Sequence, residues 1–344
     1  MLDQRRTTNI LLLIIVIPLV FYLLKVLSFI FIPLIFSMFI ALLFLPLMRQ
    51  LGRRKVPKFL SILVVLLLVT VGVYLGIELI QLSSREILAT KSEFVPKAEE
   101  KIADLKVYLS NGFGIEFEQD KNFLAQFFEK DNLGTTFGFI RTFFTTLLMT
   151  AFFVVLWLGE SINVHNLLNN TILKQKHTSI KAFMKIEKDL IKFIKVKVLV
   201  SALTGLFTGL MCVMFDVSFP IFWGLFAFAI NFVQMVGSFI SVILLSIFAF
   251  VELDPTSTLL FFIVSISMVQ VVFGAILEPI FMGKSFSINI IAVLVMLMFW
   301  GFLWGIPGLI MAIPITVFIK IILEQFPSTK VIASLLSGNE TKLD

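Results

Sequence analysis

Glu278 is a carboxylate in an apolar stretch, and its neighbours suggest a task for it. Ser267, Gln270, Gly274 and Glu278 are spaced three, four and four residues apart, so on a helix they share one face. Ionisable and amide groups at membrane depth are costly, and they mark solute or ion pathways. Pro279 follows directly; its ring deprives the carbonyl of residue 275 of a helical partner and predicts a kink. A carboxylate beside a freed carbonyl suits a cation or a polar solute. The other reading of Glu278 is interfacial, with snorkelling or pairing to Lys284.

A second polar set, Asn231, Gln234, Ser238 and Ser241, is spaced three, four and three. Gly237 would let the backbone turn there and expose amide groups at a half-helix end. These side chains either contact solute or make interhelical hydrogen bonds. Trp300, Gly301, Trp304, Gly305, Pro307, Gly308 and Pro314 form a third cluster that serves shape rather than chemistry. Ser201, Gly205 and Gly209, with Thr204 and Thr208 alongside, form a small-residue ridge suited to close helix approach.

The elements that must position these groups are membrane segments. The 344 residues are 59% hydrophobic and only 15% charged, with mean hydropathy +1.04. A soluble domain could not cover that apolar surface. The charges cluster between apolar blocks at about 10–27, 29–48, 59–81, 136–158, 198–215, 219–251, 258–282 and 290–323. That is the layout of an all-α integral membrane protein with about eight membrane segments. Arg5 and Arg6 before the apolar stretch 10–24, without a small-x-small cleavage site, read as an uncleaved first transmembrane helix.

Two of the blocks have the wrong length. Residues 219–251 and 290–323 each make a helix of about 50 Å, against a hydrocarbon core of roughly 30 Å. Each is interrupted, the first at Gly237-Ser238 and the second at Gly305-Ile306-Pro307-Gly308. Re-entrant helical hairpins fit both features, giving six crossings plus two hairpins. Two cramped crossings per block fit the flanking charges equally well.

Lysine and arginine mark cytoplasmic loops. Arg49, Arg53, Arg54, Lys55 and Lys58 lie two crossings after the N-terminus, which places both on the cytoplasmic side. Residues 82–135 carry seven basic and ten acidic side chains and read as an extracytoplasmic amphipathic segment; Ile102, Leu105 and Leu109 suggest short helices. Residues 159–197 hold eight lysines against three acids and read as a cytoplasmic basic linker helix. Lys181, Lys185, Lys188, Lys192 and Lys195 form one stripe across 181–195, suited to anionic lipid headgroups. The first overlong block is flanked by Asp216, Glu252 and Asp254, and the second by Lys284, Lys320 and Lys330. One hairpin would therefore open to each side, with the C-terminus cytoplasmic. The expected divisions are 1–81 with three transmembrane helices, 82–135 outside, and 136–158 as a fourth helix. After them come 159–197 as the linker, 198–325 as a transport core and 326–344 as a tail.

Other function classes are poorly served. His165 and His177 lie in polar sequence and Cys212 stands alone, so neither a metal site nor a disulfide framework is expected. No GxxxxGK[ST] sequence is present, so transport would run on a gradient or passively. No paired aspartates or Ser/His couple lies in the apolar blocks, which argues against an enzyme. Nucleic acid is not an expected partner, and the 40 phenylalanines read as lipid-facing and packing residues.

Three stretches then carry a family resemblance. Ala229-Ile-Asn-Phe-Val-Gln-Met-Val-Gly237 resembles an Asn-Phe-Ile-Pro-Tyr-Ile-Gly signature, with Gln234 where proline is usual. Leu277-Glu-Pro-Ile-Phe-Met-Gly283 resembles a Glu/Gln-Pro-x-x-Met-Gly motif, with Ser287-Ile288-Asn289 in place of Leu-His-Pro. Phe299–Gly308 and Ala312-Ile-Pro314 resemble a terminal Gly-rich segment. Together they are similar to the autoinducer-2 exporter family of bacterial permease-like proteins. The resemblance implies a multi-pass transporter of the bacterial inner membrane without an ATPase. It further implies a homo-oligomer, a pentamer, in which re-entrant hairpins move against a scaffold in elevator fashion. Members are linked to efflux of the autoinducer-2 quorum signal and others to sodium/proton exchange, so H+ or Na+ are the coupling ions it suggests, with no cofactor.

Three functions follow as expectations. The first is a secondary transporter exporting a small polar solute, with Asn231, Gln234, Ser238, Gln270 and Glu278 at its site. The second is a cation/proton antiporter exchanging at Glu278. The third is a non-transporting membrane scaffold that uses 82–135 to hold another protein.

Overall fold

The chain is apolar over most of its length, and where such sequence meets hydrocarbon its backbone must satisfy itself locally, which favours helices. A computed structural model describes residues 2–113, 145–160, 177–233, 236–283, 288–324 and 329–337, and no strand occurs among them. Its helices are α1 (Leu2–Val26), α2 (Ser28–Arg53), α3 (Lys58–Phe113) and α4 (Thr145–Glu160). They continue with α5 (His177–Met214), α6 (Pro220–Ile230), α7 (Val236–Glu252) and α8 (Thr256–Met282). Last come α9 (Ile290–Glu324) and α10 (Lys330–Ser337). Among the described residues, five stretches are long and apolar enough to cross a membrane: Ser28–Arg53, Lys58–Ile87, Met184–Met214, Thr256–Met282 and Ile290–Glu324.

Two expected divisions fall inside helices. Residues 58–113 form one helix rather than a membrane segment followed by short amphipathic pieces, and Pro96 lies inside it without ending it. The basic linker and the next apolar block are likewise one rod, α5, with no helix end at residue 197. Residues 114–135, most of the second half of the proposed outer segment, and 136–144, the start of the expected fourth transmembrane helix, lie outside the described residues.

The helices cluster into two compact units. One comprises Met1–Leu68, Arg141–Lys195 and Met282–Asp344. Within it α9 packs against α1, α2 and α10. Every residue from Met311 to Val317 is buried, so this half of α9 is surrounded on all sides and forms the centre of the unit. Pro314 lies within this buried helix and does not interrupt it. The break is at Gly305, whose φ of 62° and ψ of −137° belong to a region open essentially to glycine alone. Beyond it the backbone folds back until Gly308 rests on the carbonyl of Trp300, where a side chain would collide. Trp304 Nε1 donates to the Leu24 carbonyl at 3.0 Å, and Phe21 meets Phe299 edge-on at 5.0 Å, which fixes α1 to this bend. Lys320, read from sequence as a cytoplasmic flank, is buried and lies 3.4 Å from Glu324.

The other unit comprises Val69–Ile140 and Val196–Phe281. Its core joins Cys212, Phe219, Trp223, Leu245, Ala249, Phe262 and Ile266, with Phe94 stacked on Phe248 at 4.6 Å. Phe219 takes a left-handed conformation and Pro220 opens α6, which sets where the first overlong block begins. The ridge on α5 does what its spacing suggests. A β-carbon on Gly205 would lie 2.6 Å from the Gly224 carbonyl oxygen, so α5 and α6 touch backbone to backbone. α7 packs against both α6 and α8, and this places the polar face of α8 next to the break between α6 and α7.

Candidate solute-binding site

The second unit carries a partly open cavity of about 340 Å³. Its polar lining is Lys197, Asn231, Ser238, Ser267, Gln270 and Glu278, with the backbone of Gly274 and Ala275 between them. Four of the five proposed site residues therefore converge on one space. The fifth, Gln234, lies outside the described residues, as does Lys284.

Glu278 is paired, and its partner is not the one anticipated. Lys197 Nζ lies 2.8 Å from Glu278 Oε1, and the two side chains keep only 2% and 4% of their exposure. Removing one member of so buried a pair typically costs about 3–5 kcal/mol, because the other charge is left uncompensated. The carboxylate lines a protein cavity, and a counter-ion comes from α5. In sequence Lys197 is the last lysine of the basic linker. A signal was nonetheless present. Lys197 lies about 200° around the helix from Lys195, off the lysine stripe. It is on the face that continues four, three and four residues later through Ser201, Thr204 and Thr208.

Around the pair, hydrogen bonding is incomplete. Asn231 Nδ2 donates to Ser201 Oγ at 3.0 Å, holding the end of α6 to α5. Gln270 is buried, and among the described residues its Oε1 has no hydrogen-bond partner. A buried acceptor in that state is available to a donor that enters the cavity.

The backbone of α8 is also unusual here. Val271–Leu277 is wound as a π-helix, a form concentrated at functional sites. The Glu278 N–H donates to the Phe273 carbonyl, five residues back. Pro279 has no N–H, so neither residue can take up the carbonyl of Gly274. The irregularity expected at Pro279 thus precedes it, in the wider register of residues 271–277. Gly274 is free of a side chain where Ser238 approaches: a β-carbon there would sit 3.6 Å from Ser238 Oγ.

Gly237 lies in the first turn of α7, with its backbone against the Ile230 carbonyl, where a β-carbon would collide. Its hydrogen in place of a side chain permits contact between α6 and α7.

A cavity lined by a buried ion pair and unsatisfied acceptors, carried on long apolar helices, is the equipment of a membrane transport protein. The profile described as "AI-2E family transporter" matches residues 11–328, and the chain belongs to that family. It is 26% identical over 324 residues to the AI-2 transport protein TqsA of Escherichia coli K12, covering 90% of this chain and 89% of that one. Two further relatives each carry the name "Putative transport protein". One, from Haemophilus influenzae, is 24% identical over 323 residues and 92% of both chains. The other, from Borreliella burgdorferi, is 30% identical over 200 residues, 57% of this chain and about half (55%) of that protein. The chain is a multi-pass bacterial membrane protein with a role in transport, and it is not an enzyme.

Proposed function

We propose that the chain is a secondary transporter that exports a small polar solute through the cavity of Lys197, Asn231, Ser238, Gln270 and Glu278. The observation that carries the reading is the buried Lys197–Glu278 pair on the wall of that cavity. Charges are kept out of water at this cost where something must be bound and moved. The two chain reversals, near Gly237 and at Gly305, are then re-entrant hairpins. Their acidic and basic flanks have them open to opposite sides, in the manner of an elevator with alternating access. Both termini are cytoplasmic on this scheme. The protein assembles as a homo-oligomer, and the exposed Lys185, Lys188, Lys192 and Lys195 rest on anionic lipid. The name of the E. coli relative makes an autoinducer-2-type signal one candidate solute. Glu278 is held by Lys197, so an antiporter exchanging ions at a free carboxylate is not the reading the geometry favours.

Everted membrane vesicles test this. Metabolites lost from overexpressing cells and retained in knockout cells should accumulate in vesicles carrying the wild-type chain. Accumulation should fall at least tenfold with Glu278→Gln. Wild-type accumulation in that variant would remove the cavity from the pathway.

A further inference from the structure

We infer that the cavity takes a small zwitterion, a solute bearing an ammonium and a carboxylate a few atoms apart. This rests on the reading of the cavity as the solute site and specifies what it binds.

Lys197 and Glu278 line the same cavity with opposite charges, so an entering solute meets both ends of an ion pair. A singly charged solute that captured one member would leave the other unpaired in a low-dielectric setting. A neutral solute could part the pair only by stranding both charges. A zwitterion replaces one internal pair with two pairs to itself, and the net charge of the site stays zero.

The uncharged groups are distributed to match. An ammonium carries three N–H donors and no acceptor. The cavity wall offers three acceptors: the Glu278 carboxylate, Gln270 Oε1, which has no partner among the described residues, and the Gly274 carbonyl, which neither the Glu278 N–H nor Pro279 takes up. That is one acceptor for each donor. From the same wall Lys197 supplies a cationic donor for a carboxylate, and Asn231 supplies an amide. The wide π-turn is what takes the Glu278 N–H away from the Gly274 carbonyl, so backbone and side chains meet the same requirement.

The full-length chain reconstituted in liposomes decides the matter. The probe is an equimolar mixture of isotope-labelled proteinogenic amino acids, read by mass spectrometry. Matched amines lacking the carboxylate, matched acids lacking the amine, and ribose serve as competitors of other classes. At least one amino acid should be taken up tenfold or more above its matched amine and acid. Uptake should fall to the empty-liposome level in Lys197→Met/Glu278→Met, which removes both charges together and so leaves neither unpaired in the fold. Equal uptake of amino acid, amine and acid would overturn the inference, as would full activity of the double variant. If ribose or an exported metabolite crosses in a Glu278-dependent way while amino acids do not, the zwitterion is refuted and the solute site stands. If no solute's movement depends on Lys197 or Glu278, both are refuted.

Discussion

The two backbone breaks look alike in sequence, each a glycine-marked interruption in an overlong apolar block, but they are built for different ends. The first, between α6 and α7, borders a cavity with Asn231 and Ser238 and faces an ion pair. The second, at Gly305, is set among Phe299, Trp300 and Trp304, and its described contacts anchor it to α1. Both use glycine for close approach, Gly237 on Ile230 and Gly308 on Trp300. Polar chemistry is gathered at the first, and shape is held at the second. A glycine-marked break therefore signals a bend, and only its polar neighbours show whether the bend serves a ligand.

The largest effect should come from the ion pair. Lys197→Met or Glu278→Gln alone should lower stability by about 3–5 kcal/mol and abolish transport, whereas Lys197→Met/Glu278→Met should restore most of the stability but none of the transport. Thermal unfolding in detergent with vesicle uptake would check both; transport by the double variant would erase the contrast between the breaks. Next are the glycines. Gly308→Ala and Gly237→Ala should each cost about 1–3 kcal/mol through overpacking, and Gly305→Ala a similar amount through backbone strain. If shape alone is served at Gly305, the reduced amount of folded Gly305→Ala protein should transport at the wild-type rate per molecule.

Gln270→Leu sharpens the comparison from the other side. It removes a buried acceptor with no partner among the described residues, so stability should hold or rise by about 1–3 kcal/mol while uptake falls. Loss of stability instead would make Gln270 a structural residue. The smallest effect is expected for Trp304→Phe, which deletes the bond to the Leu24 carbonyl: about 1 kcal/mol in unfolding and no change in uptake.

Much of this was legible in the sequence. Apolar blocks gave helices because hydrocarbon leaves the backbone few alternatives, and four polar residues found one cavity because three- and four-residue spacing is a helical face. Lys197 was hidden by company: in a segment of eight lysines, charge counting assigned it to the cytoplasm, and only its angular offset from the stripe set it apart. The close approach of Gly237 to the Ile230 carbonyl has no local signature, because it depends on a group seven residues away. The π-turn had no local signature. Pro279 announced a fault in the hydrogen-bond ladder but not which side of the proline would absorb it.

That wide turn has a mechanical consequence. Seven residues wound with more residues per turn occupy less length than the same seven wound as an α-helix. Residues 271–277 are in that sense a compressed coil set between Gln270 and Glu278. Letting it out would lengthen α8 and swing the carboxylate about the axis, away from the lysine it grips, without unfolding a single turn.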